Sequence, residues 1–301
     1  MNVNWKGVYP ALTTKFSEKN EIDIPAFLFN IKKQVEAGVH GVVIGGSLGE
    51  ASTLTQDEKN KLLDATVGNY KGEIPVIMNI AESSSSSLVK ALKDAKEYGA
   101  NGLMMLPPMR YLSDERETLE FFKLAARTVD LPIMVYNNPY DYKIEITLDM
   151  FEHLSKYDNI QSVKESTRDV TNVTRMRNHF GDRFKILCGV DTLALEELLL
   201  GADGWVAGLV DAFPRETVLI YELVQMKRFD EARGLYRWFM PLLELDIHPK
   251  LVQYIKLAEV ATGIGTEEVR PPRLKLVGDE RERVKKIIEK AIANRPSLPT
   301  L

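Results

Sequence analysis

A lysine interrupts a strand-like run, Ile160-Gln161-Ser162-Val163-Lys164-Glu165-Ser166. Side chains alternate along a strand, so Ile160, Ser162, Lys164 and Ser166 share one face. If that face looks into the protein interior, low polarity favours the neutral amine, which can attack a carbonyl carbon and form an imine. The competing reading is a strand-end lysine that snorkels its ammonium to solvent. Lys185, in the next apolar run, is the rival nucleophile and has no supporting residues nearby in sequence. Upstream, Val135-Tyr136-Asn137-Asn138-Pro139 ends a run on a tyrosine. Beside an imine-forming lysine, Tyr136 can supply and remove protons as a carbinolamine forms and dehydrates. Standing alone it would be an amphipathic residue filling a cavity mouth.

Two glycine-containing segments could hold a ligand. In Gly45-Gly46-Ser47-Leu48-Gly49-Glu50 the backbone can approach closely, and successive amide N–H groups form a nest for an anion such as a carboxylate. A tight turn accounts for the same residues. No Lys-Ser/Thr follows the last glycine, so a Walker motif is excluded. Gly204-Trp205-Val206-Ala207-Gly208 is likewise either close backbone approach to substrate or plain packing. Metal chemistry has little support, because His40, His153, His179 and His248 are scattered without ligand spacing. His248, in Leu245-Asp246-Ile247-His248-Pro249, reads as part of a helix-connecting turn.

These residues need elements to position them, and the chain alternates short apolar runs with longer amphipathic stretches. The runs predict strands at 7–13, 41–44, 76–79, 102–106, 133–136, 160–164, 184–188 and 204–207. Helical patterns lie between them, among them 25–37, 56–69, 87–98, 113–129 and 191–200. Start signals are Asp23 ahead of Pro25, Thr55 ahead of Gln56-Asp57-Glu58, and Ser113 ahead of Asp114-Glu115. Gly38, Gly99 and Gly201 fall just past helix ends. The serine run at 83–87 reads as a loop and N-cap, with ligand contact by one hydroxyl the less favoured alternative. Near-continuous apolar strands alternating with helices predict a parallel sheet covered on both faces, and eight such units favour a closed (β/α)8 TIM barrel over an open doubly wound sheet. No GxGxxG follows the first strand. From about 216 to 293 the pattern is purely helical, which predicts a barrel over 1–225 and a C-terminal helical extension over 226–301 packed on it.

Composition bounds the function. The chain has 301 residues, 45% hydrophobic and 27% charged, ample for a sizeable core. A net charge of -4 gives no global attraction to nucleic acid or to an anionic membrane. One cysteine, Cys188, excludes an internal disulfide framework and fits a reducing compartment. The start lacks a signal-peptide profile, and no apolar run approaches the roughly 20 residues that span a bilayer. The expectation is a cytoplasmic enzyme with no nucleic-acid or membrane partner.

In order along the chain, Gly7-Val8-Tyr9-Pro10-Ala11-Leu12-Thr13-Thr14, Gly45-Gly46-Ser47-Leu48-Gly49-Glu50, Tyr136-Asn137-Asn138-Pro139, Val163-Lys164-Glu165-Ser166 and Gly189-Val190-Asp191 resemble the dihydrodipicolinate synthase/N-acetylneuraminate lyase family over almost the whole length. The resemblance implies a (β/α)8 barrel, commonly a homotetramer, that works on a small 2-oxo acid through a covalent lysine imine with no metal or other cofactor. It maps the Schiff-base lysine onto Lys164 and the catalytic tyrosine onto Tyr136. The carboxylate-binding hydroxyl and amide map onto Ser47 and Leu48, with Gly46 beside them, and the contact on the eighth strand onto Val206.

Departures from the family pattern narrow the reaction. Dihydrodipicolinate synthases carry a Thr-Thr pair where this chain has Ser47-Leu48. The position aligned with their relay tyrosine, which crosses a subunit contact, is Met109, although Arg110 and Tyr111 stand in the same loop. Asp141 replaces the arginine that pairs with the second substrate's carboxylate. The segments Asn-Asn-Pro-x-Asp-Tyr-Lys and Lys-Glu-Ser-Thr-Arg-Asp are similar to 1-pyrroline-4-hydroxy-2-carboxylate deaminases, which implies a cyclic imine as substrate and 2-oxoglutarate semialdehyde as product. A dihydrodipicolinate synthase, another pyruvate-dependent aldolase and a 2-oxo-3-deoxy sugar acid dehydratase stay open as alternatives. So does a catalytically silent ligand-binding barrel, against which the retention of both Lys164 and Tyr136 argues.

Overall fold

The structure is a computed structural model that describes residues 3–301; Met1 and Asn2, the first two residues of the expected barrel, lie outside the described residues. Eight parallel strands alternate with helices: β1 (Gly7–Pro10), α1 (Ile24–Glu36), β2 (Val42–Ile44), α2 (Gln56–Tyr70), β3 (Val76–Ile80), α3 (Ser85–Glu97), β4 (Gly102–Met105), α4 (Glu115–Thr128), β5 (Ile133–Asn137), α5 (Pro139–Tyr142), α6 (Leu148–Leu154), β6 (Ile160–Glu165), α7 (Thr171–Phe180), β7 (Lys185–Cys188), α8 (Ala194–Leu199), β8 (Gly204–Ala207) and α9 (Pro214–Gln225). Strand order β1-β8-β7-β6-β5-β4-β3-β2 runs around the ring. A bridge from Ala11 to Val43, with Leu12 N–H donating to Val43 O at 2.9 Å, closes it between β1 and β2. The molecule is a (β/α)8 TIM barrel, as the alternation of apolar runs predicts.

Local chemistry sets the helix starts. Thr55 and Asp114 each form a capping box with the glutamate three residues on, Glu58 and Glu117, and Asp23 caps α1 with Pro25 in its first turn. Three expectations are corrected. The fourth helix starts after Asp114, because Ser113 instead bonds Thr118 at 2.7 Å. The third helix starts at Ser85, ahead of the expected 87, and its N-cap is Ser84 of the serine run, which takes a bond from Ser87 N–H. The expected helix at 191–200 opens as a 3-10 turn, Asp191–Leu193, and α8 follows it; the Asp191 carboxylate is committed to the neighbouring strand. The first strand is also shorter than expected: Thr13 and Thr14 turn away to bond Glu259 and Gly49 O. Gly38, Gly99 and Gly201 hold φ of 88°, 84° and 99°, as helix-ending residues require.

After α9 come α10 (Phe229–Leu243), α11 (Leu251–Thr262) and α12 (Gly278–Ala293). The stripe Leu235, Tyr236, Phe239, Leu242 and Leu243 on α10 is buried, each side chain contributing about 1.5–3 kcal/mol. Its Tyr236 hydroxyl donates to Asp191 O at 2.9 Å. From α11, Lys256 pairs with Glu50 at 2.6 Å and Glu259 with Lys15 at 2.8 Å, all four side chains essentially without solvent exposure. These helices are bonded into the loops that follow β1, β2 and β7. Among the described residues, no helix is long and apolar enough to cross a membrane.

Candidate active site

Lys164 is the penultimate residue of β6 and Tyr136 the penultimate residue of β5, at the C-terminal strand ends where barrels carry their chemistry. The two stand directly opposite each other because the β5–β6 ladder skips one residue: Ile133 pairs with Ile160, but Met134 pairs with Ser162. Without that bulge Tyr136 would face Val163, and the lysine and the tyrosine would point to opposite sides of the sheet. Trp5 Nε1 donates to the skipped Gln161 side chain at 3.1 Å. As a result Lys164 Nζ lies 4.2 Å from the centre of the Tyr136 ring, with both residues only 7% exposed. Burial draws the Lys164 ammonium below its ordinary pKa and so favours the nucleophilic amine; Asp246 opposes this most strongly, followed by Tyr142 and Asp191.

Burial pushes the Tyr136 phenol up to about 12, so it stays protonated near neutral pH. Asn138 orients it. The amide nitrogen of Asn138 donates to Tyr136 Oη at 3.2 Å and to Asp141 at 2.7 Å, and its side-chain oxygen caps the single turn α5. That turn swings Tyr142 over the site. Its ring meets Tyr136 edge-on, centroids 5.6 Å apart at 83°, and its hydroxyl hydrogen-bonds Ser47. Burial raises the Tyr142 phenol as well. Tyr136, Tyr142 and Ser47 therefore form a row of three hydroxyl-bearing side chains running from the lysine to the glycine loop.

Asp191 and Asp246 close the other side. Asp191 accepts from Trp205 Nε1 at 2.9 Å and from the amides of Gly208 and Leu209. Asp246 comes from the connection between α10 and α11 and lies against Gly208, where even a methyl group would be 2.1 Å from its Oδ1. Gly189 is as closely packed: a methyl there would meet Ser166 Oγ at 2.1 Å and Lys164 Cγ at 2.6 Å. Arg168 stacks on Tyr140, its guanidinium carbon 3.4 Å from the ring centre.

The structure brings Lys164, Tyr136 and Ser47 together. Leu48 is buried beside Ser47, and among the described residues the amides of Ser47 and Leu48 donate to no backbone carbonyl. Gly46 O is taken by Ala51 N–H, and Val206 is buried on β8 opposite Tyr9. Lys185 lies apart from them: it opens β7, at the far end from the strand tips, and pairs with Asp203 at 3.6 Å. Sequence reasoning missed Tyr142, Asp191 and Asp246 as site residues. Asn138-Pro139 is a readable cap-and-first-turn signal for the helix that carries Tyr142. Nothing local marks Asp246, which reaches the site by tertiary packing alone. No group of three or more His, Cys, Asp or Glu among the described residues could hold a metal ion.

The profile of the dihydrodipicolinate synthetase family matches residues 4–291. The chain belongs to that family. Being a dihydrodipicolinate synthetase family member, it is an enzyme, and several similar proteins carry the name of one activity. A 4-hydroxy-tetrahydrodipicolinate synthase of Exiguobacterium sibiricum is 30% identical over 276 residues, covering 91% of this chain and 92% of that protein. One from Methanospirillum hungatei is 29% identical, covering 95% and 99%. Among solved structures, dihydrodipicolinate synthase from Aquifex aeolicus superposes with a TM-score of 0.90 at 28% identity, covering 95% of this chain and 97% of that one.

Proposed function

We propose that this family member is an imine-forming lyase in which Lys164 attacks the carbonyl carbon of a small 2-oxo acid. The observation that carries the reading is the buried Lys164 amine, set face to face with Tyr136 at the mouth of the barrel. In this reading the amine adds to C2, Tyr136 passes a proton to the carbinolamine oxygen, and water leaves to give the imine. The substrate carboxylate lies on the Ser47 hydroxyl and the Leu48 amide, with Gly46 and Val206 lining the approach. No metal or other cofactor is required, because the protonated imine is itself the electron sink. Borohydride reduction in the presence of pyruvate, followed by peptide mapping, is expected to place the adduct on Lys164. An adduct on Lys185, or none, would remove the proposal.

The names of the relatives support condensation of the synthase type, with pyruvate as the imine partner, as the reaction that follows. A second reading, hydrolytic deamination of 1-pyrroline-4-hydroxy-2-carboxylate, is favoured by one feature of the site. Asp141 and Asp246 stand at the mouth, where a synthase needs a cation for the carboxylate of its second substrate, although Arg168 lies close by. In that reading Lys164 adds to C2 of the cyclic imine, the C4 hydroxyl leaves as water, and hydrolysis releases ammonia and 2-oxoglutarate semialdehyde. Parallel steady-state assays separate the two. Pyruvate with aspartate semialdehyde turning over at about 10⁴ M⁻¹s⁻¹ or more establishes the synthase; ammonia release from the hydroxylated pyrroline alone establishes the deaminase. Turnover in neither assay, with an intact adduct, leaves another pyruvate-dependent aldolase, a 2-oxo-3-deoxy sugar acid dehydratase or a silent binding barrel, which turnover with further 2-oxo acids separates. A cytoplasmic homotetramer completes the proposal; exposed Met109, Tyr111 and Leu112 on one loop support association, which sedimentation velocity measures.

A further inference from the structure

Asp246 is a carboxylate at the barrel mouth that the proposed chemistry leaves unused. It comes from neither a strand nor a strand-following loop of the barrel but from the turn between α10 and α11. Its side chain makes no hydrogen bond to another described residue, unlike Asp191, which takes three neighbouring N–H groups, and Asp141, which takes the Asn138 amide. Gly208 has no side chain, and the carboxylate fills the space that one would occupy. The groups that act on it come from every wall: Asp191 after β7, Lys164 from β6, Asp141 from α5 and Arg168 after β6. In turn Asp246 is the strongest countercharge on Lys164. A carboxylate without hydrogen-bond donors, lodged against Gly208 and near enough to the reactive amine for their charges to act on each other, is free to exchange a proton with whatever that amine has bound.

We infer that Asp246 is the proton carrier for C3 of the substrate attached to Lys164, and that it fits this site to substrates bearing a hydroxyl at C4. The inference rests on the Lys164 imine proposed above. Once C2 is a protonated imine, the Asp246 carboxylate takes a proton from C3, and the C3–H electron pair forms the C2=C3 bond of the enamine while the C2=N pair returns to nitrogen. The enamine then collapses: the nitrogen pair re-forms C2=N, the C2=C3 pair becomes C3=C4, and the C4–O bond breaks. Asp246 returns its proton to the departing oxygen, which leaves as water. The carboxylate ends as it began, and no oxidant or further acid is consumed. Burial, and after it the neighbouring Asp191, raise the Asp246 carboxyl well above the usual carboxylate range, which makes its carboxylate a stronger base toward C3–H than an ordinary one. Such a residue acts equally on pyruvate, whose C3 protons it would exchange with solvent.

Pyruvate in D2O is therefore the probe, read by the loss of its methyl signal with full-length protein. For Asp246→Asn, exchange is expected to fall by roughly 10²–10⁴-fold, while borohydride still fixes pyruvate on Lys164. Asp246→Glu is expected to restore part of the exchange, and Asp246→Ala to repeat the Asp246→Asn result should the amide disturb packing. Exchange at the wild-type rate in Asp246→Asn and Asp246→Ala, with the adduct intact, overturns the role of Asp246 alone. Loss of the adduct in these variants also overturns it, by assigning the residue to the lysine instead. A wild-type protein that forms no adduct overturns the imine reading first.

Discussion

Tyr136 and Tyr142 differ in how much of their part can be seen from types and spacing. Tyr136 ends an apolar strand beside the strand of Lys164, so its neighbourhood follows from the alternation of elements. Tyr142 enters only through the Asn138 cap and its hydrogen bond to Ser47. Tyr136→Phe removes one hydroxyl and little volume; turnover is expected to fall by about 10²–10⁴-fold with the melting temperature unchanged. For Tyr142→Phe the structure predicts a loss of turnover that Ser47→Ala reproduces, the double variant being no worse than either single one if the two hydroxyls act as a unit. Unequal or additive losses would separate their roles. Glu197 offers a test of stability at the same scale. Burial, and then the charge of Glu165, raise its carboxyl to about 8. Between the ordinary carboxylate range and about 8, the native chain holds a proton that the unfolded chain has released, so this group costs stability as pH rises through that window. Glu197→Gln is expected to flatten the decline, as urea titrations at pH 5 and pH 8 would register; an identical slope in the variant would contradict it.

Between elements, the two buried pairs Lys256–Glu50 and Lys15–Glu259 fasten α11 to the loops after β1 and β2. Glu50 also accepts from Arg270 N–H at 3.0 Å. Glu50→Ala strands Lys256 in the interior and is expected to destabilise the fold by about 3–5 kcal/mol, read as a lower denaturant midpoint. A change under about 1 kcal/mol would mean that the ammonium finds other partners or water. The strands themselves were legible because apolar runs of the right length leave few other options. The bulge that sets Tyr136 against Lys164 was not: a skipped residue changes pairing without changing either strand's composition. The short α5 was missed for a related reason, since four residues are too few for periodicity and only the cap announces them.

Across the whole molecule, the division into a barrel and a packed extension describes the chain order better than it describes the contacts. The carboxylate of Asp246, the hydroxyl of Tyr236 and the ammonium of Lys256 all come from beyond Gln225 and meet residues at strand ends. A chain ending at Gln225 would expose the face of α9 that α10 covers and leave Glu50 without its lysine. It is expected to be insoluble or to lack a cooperative thermal transition, whereas an intact barrel with a sharp transition would show that the helices are dispensable. Fold class was readable from eight repeats of one pattern. The completion of the site from α10, α11 and the turn between them was not, because side chains some 80 residues from Lys164 in sequence leave no local mark.

Gly189 and Gly208 carry no functional group, yet each holds open the space that a reactive side chain fills. A saturation screen for activity would therefore score them alongside Lys164 and Asp246, and a map of intolerant positions would credit chemistry to residues that have none. The same property makes Gly208→Ala a useful tool. It should dislodge the Asp246 carboxylate while leaving every ionisable group in place, separating where that acid sits from whether it is there.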